Sequence, residues 1–387
     1  LELMEAYRLW KRHGGTRKDF LKCAASLDGI YIPSLYEVEY NEDNTIKAME
    51  PIVDYVPRKI KKRIVKDLDK ADFPRKMVVP FINIVHDRIM LEIFRGCDRG
   101  CRFCQAGMVY RPVRERTVGK LMDIADGLVE STGYEEISLS SLSTGDYSEL
   151  HELTGRLISK YEKDRISLSL PSLRIDSVSL ELLKSVQKVR KSGLTFAPEA
   201  GTQRLRDAIN KNVTEGDLLE SVGVAFDSNY STIKLYFMIG LPTETMEDIE
   251  GIAKLGHKVL DRYYETPKDK RGRAPKITIS VSSFIPKPFT PFQWEPQEHI
   301  DILEVKQEFL QDLVRRRGLN LSWHEPKLSY LEAVFSRGDR KLNKVLIKAW
   351  ELGCKFDGWE QHFKYDLWLE AFENCGIDLD FFATRKR

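Results

Sequence analysis

The sequence is short of several things, and each shortage narrows what the chain does. No uninterrupted apolar run approaches the roughly 18 residues that a membrane helix needs. No charge predominates: 61 basic against 59 acidic residues leave a formal +2. That balance argues against a dedicated nucleic-acid coat or a membrane-surface protein. Cysteine is scarce, six in 387 residues, with Cys23, Cys354 and Cys375 scattered singly. Such usage suits a reducing cytoplasm better than a secreted disulfide scaffold. The opening LELMEAYRLWKRHGG is charged and amphipathic, not the pattern of a signal peptide. No Ser/His/Asp arrangement or paired acid and base emerges, and His86 and His324 stand isolated.

The other three cysteines are concentrated. Cys97, Cys101 and Cys104 make a C-x3-C-x2-C loop directly after an apolar run at 89–94 that reads as a strand. Thiolates select zinc, copper(I) or iron–sulfur clusters. Zinc sites usually close a four-ligand shell with a second Cys or His pair, and none lies nearby. A four-iron cluster on three cysteines keeps one iron open for chemistry. Gly96 and Gly100 let the backbone wrap closely around a bulky group. The same spacing also fits one helical face, but two glycines among the cysteines argue against a helix.

From residue 89 a regular alternation begins. Strand patterns at 89–94, 136–141, 165–172, 193–198, 232–240 and 276–285 alternate with helical ones at 118–131, 148–161, 177–191, 214–228 and 245–264. Six strands with crossover helices predict an α/β fold, a parallel sheet curling into a partial (β/α)6 TIM-like barrel. Function in such barrels sits at the C-terminal ends of the strands, where the cysteine loop falls.

The flanks are less regular. Residues 1–10 read as a helix stopped by Gly14-Gly15, and 29–40 as extended chain before a turn at NEDN. The basic run 58–66 reads as a solvated arm, with a phosphate or RNA contact as the functional alternative. After 285 come a proline- and aromatic-rich loop, a helix at 297–317 and a mostly helical extension. The aromatics of that extension (Tyr330, Phe335, Trp350, Phe356, Trp359, Phe363 and Trp368) are expected in a small accessory core.

The loop, with Phe103 just before its last cysteine, resembles the signature of the radical S-adenosylmethionine (SAM) enzymes. The longer RGCDRGCRFCQAGMVYRPVRERT resembles a subgroup that normally carries a cobalamin-binding domain ahead of the barrel. The resemblance implies a [4Fe–4S] cluster on the three cysteines, SAM on its open iron, and an electron donor such as flavodoxin or ferredoxin. It implies that 1–85 follow an N-terminal cobalamin-binding-like domain missing from this chain, which opens on Leu1 with a helix under way. The barrel then spans 86–296 and the helical accessory region 297–387.

At the strand ends the resemblance assigns SAM contacts. Thr144, Gly145 and Asp146 would take the family's place for the methionyl ammonium, although Ser-Thr-Gly-Asp departs from the usual Gly-Gly-Glu and also suits a helix-capping turn. Arg174 would grip the SAM carboxylate, or form a surface ion pair. Glu199, in APEAGTQR, would meet the ribose hydroxyls, with Gly201 opening the next helix. Gly240, in GLPTET, would meet the adenine edge, or form a tight turn before a helix capped by Thr243 or Thr245. Arg111, Arg114 and Arg116 are read as a patch for an anionic substrate or cobalamin's phosphate, or as merely lining the loop.

The expected function is reductive cleavage of SAM in the cytoplasm, with cobalamin-dependent methyl transfer in the full-length protein. Two alternatives are an RNA or ribosomal-protein modifying enzyme of the methylthiotransferase kind and a metal-stabilised RNA-binding protein. The substrate is not legible.

Overall fold

The structure, a computed structural model, describes residues 1–82, 84–170, 175, 193–269 and 271–386. The chain divides into two compact units, Leu1–Asp67 and Leu68–Arg387.

In the first unit, a helix at Glu2–His13 ends where Gly14 donates its N–H to Trp10 O at 2.9 Å. A second helix, Arg17–Ala25, starts on a Thr16/Asp19 capping box, each residue satisfying the other's backbone N–H. The extended reading of 29–40 holds for β1 (Tyr36–Tyr40), which pairs antiparallel with β2 (Ile46–Pro51). Pro33 instead opens a single 3-10 turn. Ala24, Ala25, Ile32, Tyr36 and Val56 form a small core. The basic run has no helix or strand, and its Arg58 pairs with Glu50 while Arg63 pairs with Glu2. Those partners favour the solvated arm.

In the second unit the chain enters β3 (Ile89–Glu92). A short antiparallel bridge between β4 (Phe94–Arg95) and β5 (Arg114–Glu115) closes the base of the cysteine loop. β6 (Glu136–Ser140) and β7 (Ser167–Ser169) join β3 in a parallel sheet ordered β3-β6-β7. β8 (Leu194–Glu199), β9 (Thr232–Ile239) and β10 (Lys276–Ser283) form a second parallel run in sequence order. Helices Val118–Thr132, Leu150–Tyr161, Glu215–Asp227 and Met246–Glu265 lie between the strands as expected. The strand succession is that of the partial barrel. The expected end of the third strand and the helix at 177–191 lie outside the described residues.

One strand was not foreseen. β11 (Leu319–Trp323) pairs parallel with β10, Ile277 opposite Leu319, after a helix at Ile300–Leu313 that stops short of the expected 317. Its leucines alternate, but only Leu319 is buried, so this edge strand carries half of the usual signal.

Burial explains why the layers hold. Phe196, Phe226 and Phe237 are at most 1% exposed within one cluster spanning β8–β10 and their helices. Each such side chain contributes about 1.5–3 kcal/mol relative to exposure. A second cluster packs Ile89, Leu91 and Leu139 against helices Val118–Thr132 and Leu150–Tyr161. The C-terminal helices share a third core holding Tyr330, Phe335, Phe363 and Trp368. Trp350, Phe356 and Trp359 of the same region are exposed, contrary to the expectation of a wholly buried aromatic set.

Candidate functional site

The cysteine loop, residues 96–113, leaves β4 and returns at β5, over the C-terminal end of β3. Cys97, Cys101 and Cys104 are all in the reduced, thiol form and half-buried. Gly96 has φ +98°, and a Cβ there would lie 2.7 Å from Pro112 O, so only glycine fits where the two arms of the loop meet. Behind Cys104 the short helix Ala106–Val109 begins, and Gly107 N–H donates to Cys104 Sγ at 3.4 Å.

Three strand ends hold the loop. At the end of β6, Asp146 accepts from Arg99 Nε at 3.0 Å and from Arg99 Nη2. Beyond β8, Arg102 donates its N–H to Ile209 O at 3.0 Å and its Nη1 to Ala208 O at 2.6 Å. Beyond β10, Gln105 Nε2 donates to Pro288 O at 3.2 Å, and Phe292 N–H donates to Arg102 O at 3.2 Å. Phe103 packs into a cluster with Ala200, Leu205, Ile209, Leu241 and Phe284, which follow β8, β9 and β10. Of the residues picked from sequence at these ends, Asp146 bonds to the loop, and Phe103 of the loop packs against residues that follow β8, β9 and β10.

Each has a distinct local setting. Thr144 is fully buried in a 3-10 turn, Thr144–Asp146, with its hydroxyl 3.1 Å from Ser141 Oγ; Gly145 in the same turn is half-buried. Glu199 ends β8 after a bulge: Phe196 faces Leu235, but Glu199 faces Phe237, one residue late. Pro198, which has no N–H to give the ladder, sits in that bulge. Glu199 itself holds φ +69°, a conformation that costs a non-glycine residue energy and is common at functional sites. Its Oε1 accepts from Lys211 Nζ at 3.2 Å. Burial pushes the Glu199 carboxyl up from its usual range, and the Lys211 ammonium opposes the shift.

Gly240, at φ +77°, donates its N–H to Glu244 Oε1 at 2.8 Å. Glu244 in turn accepts from the buried Lys306 at 2.8 Å, which also meets Glu298. The helix after this turn is capped by Thr245, in a capping box with Asp248. Arg174 lies outside the described residues.

Two expectations are corrected. Gly201 does not serve the start of the next helix, where Thr202 is the cap. A Cβ on it would lie 2.1 Å from Asp248 O, so glycine is required because helix Met246–Glu265 packs backbone to backbone there, at Gly251. Arg116 of the RPVRER run does not belong to a ligand patch either. Arg116 is 1% exposed, its guanidinium on Leu68 O and over the Phe73 ring. Arg114 donates to Pro112 O and Tyr110 O at 2.9 Å, and Arg111 to Cys97 O and Asp98 O at 3.2 Å. All three bind the chain's own backbone.

Sequence reading missed Arg99, Asn210 and Lys211. The partners of Arg99 and Asn210 lie 47 and 110 residues away, and that of Lys211 lies 12 away across a bulge and a helix, so no local pattern marks them.

The donor set fits an iron–sulfur cluster. Among the described residues, no three Cys, His, Asp or Glu converge to hold a single ion. Three thiols on one loop are the soft donors that such a cluster takes. Buried polar atoms without partners also lie at the strand ends: Ser143 Oγ, Ser283 Oγ and Glu244 Oε2. A cavity of about 660 Å³ lies beside Gly193, Thr232 and Arg273, and another of about 570 Å³ between Asp123 and Arg156. Neither is lined by any residue assigned above to the cluster or SAM.

The family model described as the radical SAM superfamily matches residues 91–256. An uncharacterized protein of Methanocaldococcus jannaschii, MJ0966, is 31% identical over 326 residues, 82% of this chain and 69% of that protein. The ribosomal protein uS12 methylthiotransferase RimO of Desulfotalea psychrophila is 27% identical over 216 residues, 53% of this chain and 47% of that one. Among solved structures, the radical SAM methyltransferase TsrM of Kitasatospora setae, with cobalamin and a [4Fe–4S] cluster bound, aligns with TM-score 0.43 and 12% identity, over 56% of this chain and 37% of that chain. The matched span runs from β3 through the cysteine loop into helix Met246–Glu265, and the chain belongs to the radical SAM superfamily and is an enzyme.

Proposed function

We propose that Cys97, Cys101 and Cys104 hold the cluster, and that Phe103, Thr144, Gly145, Asp146, Arg174, Glu199 and Gly240 surround SAM. Reductive cleavage of SAM at such a cluster yields methionine and a 5′-deoxyadenosyl radical that takes hydrogen from a substrate. The protein's own part is positioning and exclusion of water. The observation that carries the reading is the docking of a three-thiol loop against the ends of β6, β8 and β10. Within it, Phe103 covers one side with an apolar ring, and Glu199 offers oxygens to a diol. The backbone of the Gly240 turn, stiffened by Glu244, presents to a base edge.

We further assign cobalamin-dependent methyl transfer to the enzyme, on the resemblance of the long RGCDRGCRFCQAGMVYRPVRERT string. The methylthiotransferase alternative calls for a second cysteine triad, and Cys354 and Cys375 lie instead in the helical C-terminal core. The RNA-binding alternative gains little from a basic run whose Arg58 and Arg63 face acids of their own unit.

The test is anaerobic: reconstitute with iron and sulfide, add SAM and a strong reductant, and assay 5′-deoxyadenosine and S-adenosylhomocysteine. 5′-Deoxyadenosine is expected from the wild type and not from Cys101→Ala, which also loses iron. Undiminished cleavage by that variant would overturn the ligand assignment. S-Adenosylhomocysteine formed when cobalamin is supplied would support methyl transfer.

A further inference from the structure

One turn touches both the cysteine loop and the Glu199 carboxylate. It follows the six-residue helix Gln203–Ala208 and comprises Ile209, Asn210, Lys211 and Asn212. Asn210 and Asn212 hold φ +56° and +35°, left-handed values that asparagine tolerates better than most side chains. The turn is closed by Asn210 N–H to Asp207 O at 3.0 Å and Lys211 N–H to Arg206 O at 2.9 Å.

From this frame two neighbouring side chains reach different targets. Asn210 Nδ2 donates to Gly100 O at 2.9 Å and to Arg99 O at 3.4 Å, between the first and second cysteines. Lys211 Nζ donates to Glu199 Oε1, with 13% and 17% of the two side chains exposed. Arg102 adds its two bonds to the carbonyls of Ile209 and Ala208. A loop of three thiols and a strained acid from another strand are thereby referred to one rigid piece of backbone.

We propose that this turn is a positioning device: Asn210 fixes the middle of the cysteine loop, Lys211 fixes the Glu199 carboxylate, and the turn sets the spacing between them. The inference rests on the reading of the cysteines as cluster ligands and of Glu199 as a SAM contact. Neither Asn210 nor Lys211 touches iron or substrate in this scheme. They act through the loop and the acid.

The experiment uses the whole chain. In the iron-free protein under anaerobic conditions, the alkylation rates of Cys97, Cys101 and Cys104 by iodoacetamide are mapped by mass spectrometry, with exposed Cys23 as internal reference. Asn210→Ala removes about one net hydrogen bond and is expected to speed alkylation of the loop cysteines about fivefold, leaving Cys23 unchanged. Asn210→Gly keeps the left-handed turn unstrained but lacks the donor, so it should match Asn210→Ala and survives if the alanine variant does not fold. After reconstitution both variants should lose iron to a chelator about fivefold faster. Lys211→Met should leave alkylation at the wild-type rate while weakening SAM binding, measured by equilibrium dialysis, about tenfold. Wild-type alkylation and iron retention in Asn210→Gly would overturn the role of Asn210, and unchanged SAM binding in Lys211→Met that of Lys211. Failure of the wild type itself to hold iron would instead sink the cluster reading, while the alkylation contrast still reports on docking.

Discussion

Arg99 grips Asp146 through both carboxylate oxygens, joining the cysteine loop to the end of β6. The acid read from sequence as a partner for the SAM ammonium is thus already engaged by the loop. Both side chains keep some solvent contact, 36% and 19%, so the pair is worth less than a buried one. Asp146→Asn is expected to lower the stability of the iron-free chain by about 1 kcal/mol and to reduce iron retained after reconstitution. Urea denaturation and iron analysis measure the two effects. Equal stability and equal iron would remove the tether.

Glu199 gives a pH signature. Its folded-state pKa is raised by burial, with Lys211 opposing. A raised carboxyl favours the folded state in its protonated form, so its contribution is full below the unfolded pKa and is lost as pH rises through the folded one. Removing the cation deepens that loss. Lys211→Met should therefore fall further below the wild type at pH 8 than at pH 4, in urea midpoints taken at both. Adding Glu199→Gln should abolish the difference between the two pH values.

Lys306 reaches Glu244 at 2.8 Å, with 7% and 1% of the side chains exposed. Lys306→Met strands buried carboxylate and is expected to cost about 3–5 kcal/mol, most of it recovered when Glu244→Gln is added. A double-mutant cycle by denaturation checks this coupling. Additive losses would mean that the two groups do not share one charge balance.

Gly201 offers a steric prediction. A methyl group there meets the backbone of Asp248 and Ile252, which cannot rotate aside. Gly201→Ala is expected to destabilise the barrel by about 3 kcal/mol or more, visible in urea midpoints. Near wild-type stability would show that helix Met246–Glu265 moves freely off the strand end.

Much of this fold was legible because its signals are local. A strand pattern such as 232–240 and a helix pattern such as 245–264 announce themselves by period, and the structure holds Thr232–Ile239 and Met246–Glu265. β11 escaped because an edge strand of five residues buries only its first leucine. The site divides the same way. Cys97, Cys101 and Cys104 are recognisable by spacing. Asn210 is not, since its meaning comes from a carbonyl 110 residues earlier, and no periodicity encodes a long-range hydrogen bond. Arg116 misled for a related reason: its charge reads as surface, and only packing shows it inside, bound to Leu68 O.

The sequential order of the strands bears on biosynthesis. Gly100 leaves the ribosome 110 residues before Asn210, which holds it. At about 5–20 residues per second, the thiols wait roughly 5–20 s for that anchor. The carbonyl of Pro288, which receives Gln105, is 183 residues away and arrives later still. Metal supplied to the nascent chain meets an unanchored loop, and the dock is complete only after translation has passed β10.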